Sequence, residues 1–163
     1  MSYLENGIVS PKEITLPDEK RRKKGPYAVI ECVQRIPCDP CASSCPFKAI
    51  TIEGSINELP RINYELCTGC GVCVSLCPGL AIFIIDESKE GEEGIVGIPY
   101  EFLPLPEAGE EVILLDRGGK EIGKGKVERV KKDKKTKTPV VYVRVPRERI
   151  MDARFIKREG GND

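Results

Sequence analysis

Histidine is missing from all 163 residues. Its absence removes Rieske-type and histidine-ligated haem chemistry, together with the commonest general base of catalysis. Any metal must therefore be held by thiolate or carboxylate. A long apolar run is missing too, because the longest candidate, Leu80 to Ile85, falls far short of the ~20 residues that a membrane-spanning helix needs. The opening MSYLENGIVS lacks the basic segment and apolar stretch of a secretory leader, so a soluble, cytoplasmic protein is expected. Gln34 is the only glutamine against abundant Lys and Glu, a balance found in proteins of hot environments. Cysteine is absent from most of the chain as well, since all eight lie between Cys32 and Cys77.

That crowded segment is a repeat. An offset of 32 sets Cys38, Cys41, Cys45 and Pro46 over Cys70, Cys73, Cys77 and Pro78, and Ala49 and Ile50 over Ala81 and Ile82. Two copies that share one spacing predict a pseudo-twofold unit with its halves facing each other. Short strands are expected at 27–31, 50–52, 61–63 and 81–85, with each cysteine loop leading into about one turn of helix.

The second run, Cys67, Cys70, Cys73, Cys77 and Pro78, fits CxxCxxCxxxCP, the spacing of thiolates around [4Fe-4S] clusters. Two-residue gaps let a tight loop set three thiolates around one cube, and Gly69 and Gly71 suit close approach of the backbone. Clustered cysteines also form disulfide frameworks or tetrahedral zinc sites. The missing leader speaks against the first. A zinc site requires neither the triplet nor the proline after a fourth cysteine.

Over residues 27–86 the chain resembles the two-cluster bacterial-type [4Fe-4S] ferredoxins. The resemblance implies two clusters with crossed ligation: Cys45, Cys67, Cys70 and Cys73 for one, and Cys38, Cys41 and Cys77 for the other. The departure lies at the fourth ligand of the latter, because the repeat puts Arg35 where a cysteine belongs, and Cys32 stands three residues earlier. Either Cys32 reaches in through a longer loop, CxxxxxCxxCxxxCP, or the site is a three-iron or degraded cluster and Cys32 is a core residue. The wider stretch AVIECVQRIPCDPCASSCPFKAI, with a β-rich C-terminal unit, resembles the small ferredoxin-like subunits of FAD-dependent dehydrogenases of the proline, hydroxyproline or glycerol-3-phosphate type. That resemblance implies a larger flavoprotein partner.

The rest of the chain reads as an N-terminal arm (1–26), an acidic, proline-punctuated linker (87–110) and a small β-rich docking domain (111–163). Strands are expected at 111–116, 120–130, 140–145 and 151–156, with a tight turn at Gly118 and Gly119. The fold class is therefore α+β: a ferredoxin-like βαβ-βαβ unit followed by a small barrel-like all-β domain. From Val112 to Asp163, 16 Lys and Arg face 8 Asp and Glu, a net of +8. The densest stretch, KKDKKTK at 131–137, reads as a solvated loop or as a basic face for an acidic redox partner. KRRKK at 20–24 reads as a flexible arm or a partner contact. GxSxG, P-loop and GxGxxG motifs are absent. The chain is thus expected to carry electrons as a non-catalytic oxidoreductase subunit. The alternatives are a free-standing ferredoxin and a cluster-containing nucleic-acid binder, the latter disfavoured by the lack of spare aromatics and of a recognised motif.

Overall fold

The computed structural model describes residues 3–136 and 138–160. Met1, Ser2, Lys137 of the basic run and Gly161 to Asp163 lie outside the described residues. Two short helices, α1 (Tyr3–Asn6) and α2 (Glu19–Arg22), occupy the N-terminal segment. The order strand, cysteine loop, helix, strand then occurs twice. The first copy is β1 (Tyr27–Ile30), α3 (Pro40–Ser44) and β2 (Ile50–Thr51); the second is β3 (Arg61–Ile62), α4 (Val72–Leu76) and β4 (Ile82–Asp86). Five further strands follow: β5 (Glu93–Pro99), β6 (Glu111–Leu115), β7 (Glu121–Lys131), β8 (Val140–Pro146) and β9 (Phe155–Arg158).

One antiparallel sheet runs through both predicted units in the order β1-β4-β5-β8-β7-β6-β9, while β2 and β3 form a separate ribbon. The linker expectation therefore fails for 93–99. Those residues are β5, the strand that joins the cysteine unit to the C-terminal strands. Its apolar Ile95, Val96 and Ile98 are diluted by glycine and flanked by acidic text, which hides the strand from a composition reading. The acidic loop before it is also tied down, since the Arg147 guanidinium donates to the carbonyls of Glu87, Lys89 and Gly91. The last strand starts at Phe155 rather than 151, because a short helical turn at Arg147–Arg149 and the turn after it take up the preceding residues.

Successive side chains of a strand point to opposite faces, and here both faces are covered. Tyr27 and Val29 of β1, Phe83 and Ile85 of β4, and Val141, Val143 and Val145 of β8 enter one core, to which all seven strands contribute. The intervening Ala28, Ile82, Ile84, Val140 and Tyr142 pack with Cys41, Cys73 and Val74 on the other side. That double burial explains why IFII and VVYV are unbroken apolar runs. Each fully buried Ile or Leu there contributes about 1.5–3 kcal/mol. The first core lies on one face of the sheet, and the cysteine unit packs against the other.

Candidate metal centre

All eight cysteines are free thiols, and the fold sorts them into two groups. Cys41 on α3 and Cys73 on α4 are buried, and Cys45 and Cys77 sit at the C-caps of those helices with extended backbone that ends each one. One cavity is lined by Cys45, Cys67, Cys70 and Cys73, and a second by Cys32, Cys38, Cys41 and Cys77. They are similar in size, with empty volumes of about 320 and 390 Å³, solvent mouths included. Each repeat thus sends its last thiol into the cavity lined mainly by the other. Among the described residues no three His, Cys, Asp or Glu side chains are gathered as a single metal ion requires.

The repeat extends to the backbone. Lys48 and Leu80, 32 residues apart, both adopt φ of 51°. Those left-handed residues turn the chain so that the Ala49 and Ala81 N–H groups donate to Cys45 Sγ and Cys77 Sγ at 3.3 and 3.5 Å. The Ala28 N–H donates to Cys67 Sγ at 3.4 Å. Burial, then the neighbouring Cys67, Cys70 and Cys45, push the Cys73 thiol up to about 12. Burial, then Cys77, push Cys41 up to about 11. Burial, Cys77 and Cys38 also raise Cys32, against a Gln34 N–H that favours its thiolate. Thiols crowded in this way ionise together only around a cationic guest, so binding such a guest is coupled to proton release.

Residues 60–83, which include Cys67, Cys70, Cys73 and Cys77, match the family model of the 4Fe-4S binding domain. The chain carries a 4Fe-4S domain. Three relatives carry the likeness further. ABC transporter E family member 1 of Arabidopsis thaliana is 36% identical over 94 residues, 52% of this chain and 15% of that protein. The ferredoxin-type protein NapF of Haemophilus influenzae is 39% identical over 57 residues, 33% of this chain and 32% of its own length. Pyruvate synthase subunit PorD of Thermotoga maritima is 42% identical over 60 residues, 36% of this chain and 59% of that subunit. The matches therefore span less than two thirds of each relative. No solved structure matches the chain. The match places a 4Fe-4S binding domain at residues 60–83, and among the described residues no helix is long and apolar enough to cross a membrane.

Several residues that hold the 4Fe-4S domain were not legible as site residues. Arg21, in the basic stretch expected to be a flexible arm, is 8% exposed. Its guanidinium donates to the carbonyls of Tyr64 (2.7 Å), Gly25 (3.1 Å), Pro26 (3.0 Å) and Cys67 (2.6 Å). The arm therefore straps the second cysteine loop, and Arg22 pairs with Glu87 at 2.9 Å beside it. From the other side Lys131 Nζ donates to the Cys70 carbonyl at 2.8 Å. The Tyr142 ring lies beneath the same loop with the Arg129 guanidinium 3.9 Å from its centroid, an arrangement worth about 0.5–2 kcal/mol. Gly69 and Gly71 have φ of 66° and 82°, and a Cβ on them would meet Pro26 at 2.6 Å and the Tyr142 hydroxyl at 2.7 Å. Close approach needs glycine at both positions. The only signal that could have found Arg21 and Lys131 is a cation within basic text, and that signal does not single them out.

Proposed function

We propose that the chain holds two [4Fe-4S] clusters and serves as the electron-transfer subunit of a multisubunit, flavin-dependent oxidoreductase. Cys45, Cys67, Cys70 and Cys73 hold one cluster, and Cys32, Cys38, Cys41 and Cys77 the other. The observation that carries this reading is the exchange of Cys45 and Cys77 between the repeats, which leaves four thiols around each of two cavities. Four thiols spread around a cavity suit a polynuclear guest with a thiolate at every metal, whereas a single zinc ion needs its four ligands gathered at about 2.3 Å. A cube bound there supplies a one-electron couple.

The chain's own part is to hold, shield and tune. Val74 and Ile84, both fully buried, wall the thiols from the strand core, and the N–H groups of Ala28, Ala49 and Ala81 offset charge on the sulfurs. A role as a subunit, rather than as a diffusing carrier, is supported by the strands beyond β4, which share the sheet of the cysteine unit and carry a basic tip. Lys131 to Lys135 are exposed there, and Lys131 touches the Cys70 loop. Such a tip suits an acidic face on the partner.

The test is to isolate the intact chain without oxygen and measure iron per chain and co-purifying flavin. About eight irons with a flavin-containing subunit in the same complex is the expected result. About four irons would leave a single-cluster carrier, zinc in place of iron would end the redox reading, and eight irons on a lone monomer would return the free-standing ferredoxin.

A further inference from the structure

We infer that Arg117 and Arg154, both contributed by connections between the C-terminal strands, are positioning residues for Cys32: by clamping Glu31 they fix the strand end that delivers this thiol to its cavity. The inference rests on the two-cluster reading above.

In the second repeat the first thiol arrives through a turn, with the N–H groups of Leu66 and Cys67 both donating to the Asn63 carbonyl at 3.2 Å. Asn63 corresponds to Glu31 by the offset of 32, and the match is kept in the backbone. The Asn63 N–H donates to Ala49 O at 2.7 Å, and the Glu31 N–H donates to Ala81 O at 2.8 Å. After Glu31 there is no such turn. The thiol is the very next residue, and strand alternation alone aims it: Tyr27 and Val29 face the strand core, Ala28 and Ile30 face the cysteine unit. Glu31 therefore falls on the core side and Cys32 on the cavity side.

What holds Glu31 comes from far along the chain. Arg117 Nε and Nη2, in the turn between β6 and β7, donate to its two carboxylate oxygens at 2.9 and 2.7 Å. Arg154 Nε, just before β9, donates at 2.7 Å and lies over the Phe83 ring at 5.1 Å. The side chains of Glu31, Arg117 and Arg154 are only 7%, 10% and 4% exposed, and Arg154 Nη2 has no hydrogen-bond partner among the described residues. A buried carboxylate with two guanidiniums is a poor source of net stability compared with apolar packing, so its worth lies in geometry. The loop beyond Cys32 has weaker ties. The Arg35–Glu58 pair is largely solvent-exposed and contributes little, and Tyr3 Oη reaches Val33 O at 3.3 Å.

The test compares the wild-type chain, Arg117→Gln and Glu31→Gln, each isolated without oxygen, by iron content, site-resolved spectra and rate of iron loss to a chelator. The wild type should hold about eight irons and Arg117→Gln about four, with the Cys45–Cys67–Cys70–Cys73 site intact. Glu31→Gln keeps shape and one acceptor, so it reports even where Arg117→Gln does not fold. Its Cys32 site should lose iron about 10–100-fold faster than in the wild type, with the other site unchanged. Equal effects on both sites would reduce the clamp to a general stability element and overturn the inference, as would two variants that keep wild-type iron and kinetics. A wild type with fewer than about eight irons would instead defeat the two-cluster reading itself.

Discussion

The two thiol cavities descend from one repeat and differ in what surrounds it. Around Cys45, Cys67, Cys70 and Cys73, the loop is pressed against Pro26 and Tyr142 and strapped by Arg21 and Lys131 through the carbonyls of Cys67 and Cys70. Around Cys32, Cys38, Cys41 and Cys77, Pro37 and Asp39 take the places of Gly69 and Gly71. The loop there leaves Ile36 47% exposed, and its first thiol comes straight off a strand. Shared spacing accounts for three thiols per site. The fourth thiol stands at non-equivalent positions, Cys67 and Cys32, and the local field comes from segments outside the repeat, so the same motif can yield one braced site and one that depends on a remote clamp.

The strongest way to break this comparison is to exchange the surroundings at equivalent positions. Gly71→Val puts a branched side chain at φ of 82°, which costs about 1–2 kcal/mol for the backbone alone, and drives its Cβ into the Tyr142 hydroxyl. Iron should fall by about half, with the Cys67 site lost. Asp39→Ala, at the matching position, removes a side chain that caps nothing, from a residue with φ of −139°, and should keep full iron. If Gly71→Val retained both clusters, the close approach beneath Tyr142 would have no part in the site.

Next in size is the change that tests the unusual ligand. Cys32→Ser should lower iron and alter the spectrum of its own site alone, leaving the Cys67 site as in the wild type, because the two cavities share no thiol. A variant with full iron and an unchanged spectrum would make Cys32 a core residue, and the first site would then have three protein thiolates.

The sequence made the repeat legible because ligand spacing survives in it unaltered, and the structure carries the same offset into Lys48 and Leu80 and into the Ala49 and Ala81 donors. The fold lines one cavity with Cys45, Cys67, Cys70 and Cys73 and the other with Cys32, Cys38, Cys41 and Cys77. The single sheet was not legible, since β5 lies in text whose glycines and acids read as a linker. Nor were the Arg21 strap or the Glu31 clamp, whose partners stand 46, 86 and 123 residues apart. A charged residue that will be buried looks the same in sequence as one that will be solvated, and only tertiary pairing separates them.

The smallest expected effect sharpens the electrostatic side of the comparison. Lys131 is exposed and its ammonium touches the Cys70 carbonyl, whereas the nearest cation of the other loop, Arg35, is already paired with Glu58. Because reduction adds negative charge to a cluster, a nearby cation favours the reduced form and raises the potential. Lys131→Met should therefore lower the midpoint potential of the Cys67 site by on the order of 20 mV at low salt, as expected for one charge about 10 Å away in a solvent-like medium. The Cys32 site should not move. At 1 M salt, where screening acts over about 3 Å, the difference should close. A shift shared equally by both sites would mean that Lys131 acts through the fold and not through its charge, and no shift at low salt would remove the basic tip as the source of any difference between the two couples.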